Sequence, residues 1–479
     1  MHLATSLSLA VILSAVYVTG NPAPVPSTTA LCPNAPKPTS ALKVAPGFEG
    51  TAVVGGISNP RGITLDKRGN ILVVERGVGV TGHFVDKNGC VTRSKVIVDD
   101  YNLNHGIDIS ADGRTLFATS REFAWSWDYD ARTMTATNRR TLVTGMLTEK
   151  QLTRTIVASK VNPNFIAISI SAGDGPDYEA FDPAVGRAQV RAFDLTKLPR
   201  GGAAYNSSYG RVLGYGLANA VGIAEDHQGF IHAGDNGGTT HRFIGGVGTG
   251  VGSDNPAEGV FKLSNPRRPE SLFAGYPYCF PVWDSNAIQD RRFERGEWSA
   301  ILPETEYNDE WCQREAARPS LILPPHSAPL DMKFGPRGDD SLYVAMHSNG
   351  YIDPTQGFKV VKIGGSYPRA GVSGWAATDA SARLNVTFMD ILLNDVETED
   401  QCLRGGCFRP LGLVWSQDGD KLYVTSDNTG EIFLLKKKPT QRLWGQCGGL
   451  LYGGPRNCEE GSVCQYRNFL YSQCVPGRD

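Results

Sequence analysis

Residues 411–430 read LGLVWSQDGDKLYVTSDNTG: an apolar run, a turn built on Asp418-Gly419, a second apolar run, and a polar close. The same sentence is written again elsewhere. It appears as RGITLDKRGNILVVERG from Arg61, HGIDISADGRTLFATSR from His105, VGIAEDHQGFIHAGDNG from Val221 and LDMKFGPRGDDSLYVAMHSNG from Leu330, with a weaker copy, NFIAISISAGDG, from Asn164. Runs of four to six residues rich in Val, Ile, Leu and Tyr, joined by Asp-Gly type turns, are β-hairpins. Six copies without helical periodicity between them predict an all-β chain folded as a six-bladed β-propeller. Over residues 45–435 this gives about 65 residues per blade, against the 40–45 of compact propeller repeats, so the surplus belongs in loops. The largest insert is expected at 238–325.

Composition agrees. The 479 residues include 55 Gly and 29 Pro, a turn-rich usage. Lys plus Arg number 47 against 49 Asp plus Glu, a formal charge of −2; without a basic excess a nucleic-acid partner is not expected. The apolar stretch from Leu7 to Val18 is too short to span a bilayer and is followed by small residues to Gly20, as in a secretory signal peptide over 1–20. No second such stretch follows, so no membrane anchor is expected. A Pro- and Thr-containing lead-in occupies 21–44. Ten Cys, at 32, 90, 279, 312, 402, 407, 447, 458, 464 and 474, form no Cys-x-x-Cys or zinc-spaced cluster. Disulfides in an exported, extracellular protein are the better reading, with Cys32–Cys90, Cys279–Cys312 and Cys402–Cys407 as local pairs. The last of these is expected to orient Arg409. Asn206-Ser207-Ser208 and Asn385-Val386-Thr387 are glycosylation acceptors.

Four of the ten Cys fall in WGQCGGLLYGGPRNCEEGSVCQYRNFLYSQCV, residues 444–475. A segment this short needs staples because it cannot bury an adequate core. A basic tether, 436–443, precedes a separate module expected over 444–479. Over nearly its whole length the module resembles the fungal family 1 carbohydrate-binding module. That resemblance implies the pairs Cys447–Cys464 and Cys458–Cys474, and an aromatic row that stacks on cellulose. Trp444 and Tyr471 match two members of the row. The third position holds Leu470, with Phe469 beside it as a substitute, and Asn468 and Gln473 match polar residues that bond sugar hydroxyls.

A propeller gathers the entrances of its innermost strands around one end of a central channel, which is where function is expected. Those positions are Arg61, Asn104-His105, Asn219, His326-Ser327 and Arg409; the returning ends are Glu75-Arg76, Arg121, Asp235-Asn236, His347 and Asp427. No Gly-x-Gly-x-x-Gly opening a helix, no Gly-x-Ser-x-Gly and no His-Glu-x-x-His is present, which argues against dinucleotide, serine-hydrolase and zinc-protease chemistry. Arg offers a planar cationic fork for carboxylates and flat rings, Asp and Asn oxygens suit calcium, and His suits proton abstraction near neutrality.

The ordered strings NPRGITLDKRGNILVVERG, LNHGIDISADGRTLFATS, GLANAVGIAEDHQGFIHAGDNG, DNPAEGVFKL with AGYPY, HSAPLDMKF and RPLGLVWSQDGDKLYVTSD resemble the fungal pyrroloquinoline quinone (PQQ)-dependent pyranose dehydrogenases, members of the six-bladed quinoprotein sugar and sorbosone dehydrogenases. The resemblance implies a secreted oxidoreductase using PQQ and calcium on a sugar near C1 or C2. It implies that Arg61, Arg76, Asn104, Arg121, Asn219, His326 and Arg409 hold the cofactor, and that His105 is the general base with His347 its competitor. The calcium ligands are sought at Asp235, Asp254 and Asn255, with Asn236 and Glu258 nearby. Where the bacterial relatives have Arg-Asn-Pro-x-Gly, this chain has Ala218-Asn219-Ala220-Val221-Gly222; either another Arg, with Arg242 the candidate, replaces the missing one, or the cofactor is held differently. With no room for a haem domain, electrons are expected to pass to an external acceptor such as a secreted cytochrome domain or a copper monooxygenase. The competing classes are a calcium-dependent hydrolase or lactonase and a non-catalytic sugar-binding propeller.

Overall fold

The structure, a computed structural model, describes residues 31–477 apart from 149–151, 174, 238–240, 252–253, 349–355, 368–373, 379–386, 396–401, 403–405 and 460. The signal peptide and the second glycosylation acceptor lie outside the described residues. Six antiparallel sheets follow one another, and their innermost strands are Pro60–Leu65, Leu103–Ile109, Ile156–Ala158, Ala220–Glu225, Pro329–Phe334 and Pro410–Trp415. Each packs against the next around a closed ring. The one α-helix among the described residues is the single short stretch Asp309–Glu315. No helix of the described residues is long and apolar enough to cross a membrane.

The ring closes by exchange of a strand. Phe48–Val54 comes from the start of the chain yet forms the outer edge of the sixth sheet, paired antiparallel with Glu431–Lys437. Leu42–Val44 does the same for the fifth sheet, against Phe388–Asn394. The bridge Cys32–Cys90 ties the segment leading into these strands to the first blade, and Cys279–Cys312 and Cys402–Cys407 are the other propeller bridges. Apolar residues that alternate along the strands fill the spaces between sheets. Between the fifth and sixth these are Tyr343, Ala345, Val360, Leu413, Val424, Phe433 and Leu435.

The entrances of the innermost strands are bulged. Pairing slips between Pro60 and Ile63, Leu103 and Ile107, Ala220 and Gly222, Pro329 and Asp331, and Pro410 and Leu413. A bulge bends the strand and re-aims side chains, so the slips fall where Arg61, Asn104 and His105 meet the axis.

The C-terminal module is a three-stranded sheet in which Tyr471–Pro476 lies between Gln446–Gly448 and Ser462–Asn468. Cys447–Cys464 and Cys458–Cys474 staple it.

Phe433 is buried against Phe408 in an edge-to-face contact, on the strand that receives the exchanged edge. Phe433→Ala is therefore expected to lower stability by about 3–5 kcal/mol, read from urea unfolding; a loss below about 1 kcal/mol would contradict this account of closure.

Candidate functional site

Four polar side chains, Arg61, His347, Arg409 and Asp427, meet at the axial entrance of blades one, five and six. The Asp427 carboxylate accepts a hydrogen bond from Arg61 Nη1 at 2.8 Å and faces His347 Nε2 at 3.0 and 3.1 Å. Arg409 reaches over the same spot, its Nε donating to the His347 carbonyl at 3.2 Å and its Nη2 to the Ser348 carbonyl at 2.7 Å. His347 Nδ1 lies 3.1 Å from the Ser348 carbonyl. Both ring nitrogens of His347 are thus committed to oxygens of its own protein. Burial works against the Asp427 charge, but His347, Arg61 and Arg409 hold the carboxyl well below the usual carboxylate range. Burial lowers the Arg61 pKa to about 10, with Arg76 and Arg409 adding to the effect and Asp427 opposing it.

His105 stands beside this group on blade two, 3% exposed. Burial, then the positive charges of Arg61, Arg76, Lys333 and His347, hold its imidazole well below its ordinary value. Its Nδ1 is buried without a partner, as are Arg61 Nε, Asn104 Oδ1 and Ser327 Oγ. Buried polar atoms are nearly always satisfied. Several orphans gathered from blades one, two and five at one end of a channel are the mark of a place built to receive a ligand.

Blade four supplies acid. Asp235 accepts the backbone amides of Ala218 at 3.0 Å and Asn219 at 2.7 Å, and burial pushes it up to about 6. Asn219 is fixed by Ser171 Oγ on its Oδ1 at 2.6 Å. Glu258 is fully buried; its Oε2 accepts from Gly237 N at 2.6 Å and its Oε1 has no partner. Burial, with Asp235 adding, drives Glu258 well above its ordinary value. A cavity of about 500 Å³ opens here, with Asn219, Asp235, Asn236 and Gly237 on one wall and Phe243, Tyr276, Phe280 and Trp298 among the others. Apolar walls with a few convergent polar groups are what a small-molecule pocket needs.

The remaining candidates divide. Asn104 is anchored by Nδ2 on the Leu152 carbonyl at 2.8 Å, and Arg121, exposed, ties the Thr148 carbonyl. His326 is buried at φ +62°, with its backbone amide turned to Glu258. Two expectations fail on geometry. Arg242 does not stand in for the missing Arg: its guanidinium is consumed by Asp290, Asp309, Ser299 and the Ala300 carbonyl, far from free to cover a cofactor. Asn255 is a turn staple and not a calcium ligand, since its Oδ1 accepts from Trp283 N and Asp284 N and its Nδ2 donates to Asp284 O. Asp254 lies half-buried beside it. Sequence reading missed the bridging role of Asp427, because only the fold shows that it faces Arg61 and His347 at once.

In the module Trp444 is 56% exposed, and Phe469 and Leu470 are exposed with it, whereas Tyr471 is half-buried. Gln473 Nε2 donates to the Trp444 carbonyl at 2.9 Å, and Asn468 Oδ1 accepts from Leu470 N at 2.9 Å. Both amides therefore fix the presentation of the apolar row.

A TrAA12-like family model matches residues 42–438. The chain belongs to the TrAA12-like family. Residues 443–471 match the fungal cellulose binding domain. A pyrroloquinoline quinone-dependent pyranose dehydrogenase of Coprinopsis cinerea is 44% identical over 94% of this chain and 67% of its own length. A pyrroloquinoline quinone-dependent sugar dehydrogenase of Hypocrea jecorina is 30% identical over 82% of this chain and 89% of its own. The holo form of the Coprinopsis cinerea pyranose dehydrogenase PQQ domain superposes with a TM-score of 0.81 at 47% identity, covering 85% of this chain and 99% of that one. A calcium structure of the Trichoderma reesei family AA12 enzyme gives 0.76 at 29% identity, covering 84% and 99%.

Removing Asp427 would leave Arg61 and His347 buried without their shared anion. Asp427→Ala is expected to cost about 3–5 kcal/mol of stability, measured by denaturant unfolding; a change within about 0.5 kcal/mol would show that the bridge carries no weight.

Proposed function

We propose that this TrAA12-like chain is a secreted, PQQ- and calcium-dependent oxidoreductase that oxidises a sugar and is held on cellulose by its C-terminal module. The observation that carries the reading is the axial entrance: Arg76, Arg409 and the Asp427 carboxylate around Arg61, with Arg61 Nε and His105 Nδ1 buried and unpartnered among them. This donor set fits a flat, multiply anionic group, because the surplus positive charge and the orphaned donors are met by its carboxylates and carbonyls. It does not suit a calcium hydrolase, which needs carboxylates around its metal. Similarity to the PQQ-dependent pyranose and sugar dehydrogenases supports the same assignment.

PQQ, when bound, supplies a two-electron acceptor, and calcium a Lewis acid. Arg61, Arg76 and Arg409 hold the cofactor, with Asn104, Arg121, Asn219 and His326 as further contacts. Asp235, with Glu258 behind it, is the acidic group for the cation; Asp254 stays a candidate ligand. His105 takes the proton of the sugar hydroxyl undergoing oxidation. It is neutral, unpartnered at Nδ1 and surrounded by cations, whereas His347 is engaged at both nitrogens. Asp427 and Arg409 keep His347 in that role. The oxidised position is at or near C1 or C2, and electrons leave to an external acceptor. The leader 1–20, the propeller over 45–435, the tether 436–443 and the module 444–479 divide the work between export, chemistry and targeting. In the module Trp444, Phe469 and Tyr471 form the stacking row, oriented by Asn468 and Gln473.

His105→Ala is expected to keep PQQ affinity within a few-fold while sugar-dependent dye reduction falls by about 10²–10⁴-fold. Normal oxidation by His105→Ala once saturated with PQQ, with loss in His347→Ala, would exchange the two roles. Because the base must be unprotonated and its pKa is held down, the acid limb of kcat/KM against pH should lie below 6.5. A limb at or above that value would refute His105 as the base. Leu470→Tyr should tighten binding to microcrystalline cellulose from a few-fold to about tenfold, an aromatic contact being worth about 0.5–1.5 kcal/mol. Trp444→Ala should release the protein in the same pull-down without altering oxidation of soluble sugar.

A further inference from the structure

Behind His105 the propeller is hollow. A second cavity, about 610 Å³, has His105, Gly106 and Gly62 at its inner end and runs between the innermost strands to the opposite face. Its outer rim takes one turn from each blade: Lys67, Ala111, Lys160, His227, Arg337 and Gln417. All but Ala111 are exposed side chains, so the mouth is open to solvent. The volume holds many waters, and the walls give them polar partners. Thr64 Oγ1 donates to Asp108 Oδ1, Lys160 Nζ reaches the same oxygen at 2.9 Å, and Glu225 lies beyond.

A charged pair borders this cavity. Lys333 Nζ donates to Asp331 Oδ1 at 2.5 Å, and Asp331 Oδ2 accepts from Leu413 N of the next blade at 2.7 Å. Burial raises the Asp331 pKa against the pull of Lys333, and Lys333 is one of the charges that hold His105 neutral.

We infer that this axial cavity is the path by which the proton taken up by His105 leaves the enzyme, with the Lys333–Asp331 pair as the positioning residues that expel it toward the far mouth. The inference rests on His105 being the base. Its physical ground is confinement. His105 is almost sealed from solvent, and during turnover the sugar and a flat cofactor would cover it on the other side. A base so enclosed must be reset without opening the site, and the water-sized volume behind it leads out. The balance is simple: the carbon gives its hydride, and with it both electrons, to the bound quinone, which would be left as the singly protonated quinol, while the hydroxyl proton rests on the imidazole, passes to cavity water and emerges at the mouth as His105 returns to its neutral form. No electron moves along this route.

The test is stopped flow on PQQ-loaded full-length enzyme in weak buffer, following cofactor absorbance and a pH indicator together in a single turnover. In the unaltered protein, proton release should keep pace with reduction. In Lys333→Met with Asp331→Asn it should lag reduction by tenfold or more. Should that pair of changes disturb folding, Thr64→Val with Thr155→Val strips two hydroxyls from the wall and should also produce a lag. Release that stays in step in the folded variants would overturn the proposal. A second readout needs no turnover. In cofactor-free protein the His105 imidazole resonance, which faces Arg61, Arg76, Lys333 and His347, should titrate at higher pH in Lys333→Met. An unmoved titration would place Lys333 out of reach of His105 and overturn its role. Failure of the underlying reading is distinguishable, because it would show as normal sugar oxidation in His105→Ala, whatever the lag.

Discussion

Everything at the axis depends on how closely the innermost strands approach one another, and glycine sets that distance. A Cβ on Gly62 would lie 2.4 Å from the His105 carbonyl, one on Gly106 2.4 Å from that of Arg154, one on Gly222 2.5 Å from that of Pro329, and one on Gly412 2.7 Å from that of Arg61. These separations are shorter than any real Cβ contact, so no larger residue fits without pushing the blades apart. Threonine completes the junction. Gly412 N donates to Thr425 Oγ1, which donates to the Arg61 carbonyl, and Gly106 N, Thr119 Oγ1 and the Arg154 carbonyl repeat the arrangement. The bulged strands cannot spend these groups on their own ladder. They spend them on the neighbouring blade, and in doing so fix the backbone of residue 61 and of its counterparts.

That explains why the functional side chains sit on strand entrances. The Arg61 carbonyl is held by Thr425 of the adjoining blade and the His105 carbonyl packs on Gly62 of another, so their positions are set by the ring and not by a loop. Rigid elements place reacting groups better than loops do. The large insert in blade four, by contrast, has its own internal scaffold. Buried Arg242 binds both Asp290 and Asp309 there, and Cys279–Cys312 closes it.

Much of this was legible. Six repeats of strand, Asp-Gly turn and strand predict six blades, and they appear. The local cysteine pairs are the ones formed, because each joins segments that the repeat already brings near. The grouping of Arg61, His105, His347 and Arg409 followed from their place at strand ends. What sequence could not show was pairing across the ring. Arg61 and Asp427 stand 366 positions apart and meet only because the last blade closes on the first. Arg242 failed as a cofactor ligand for the same kind of reason: an Arg in a polar insert reads the same whether it faces the axis or a pair of aspartates within the insert. Asn255 looked like a ligand because its oxygen is of the right type, but two backbone amides had already claimed it.

The axial entrance also holds an unfavourable charge, and that bears on what it is for. Lowering the Arg61 pKa from 12.5 to about 10 corresponds to about 3 kcal/mol against keeping the guanidinium charged in that setting. Burial is the largest part of that cost; Asp427 opposes it, and Arg76 and Arg409 add to it. A core that sought stability alone would have replaced such groups with apolar ones of similar volume. On blade four the sign is reversed: burial raises the pKa of both Asp235 and Glu258, and Asp235 adds to the rise of Glu258. Positive charge gathered on one side of an axis and negative on the other, each kept at a cost in folding, is the arrangement expected of a protein that gains stability when an anion and a cation arrive together.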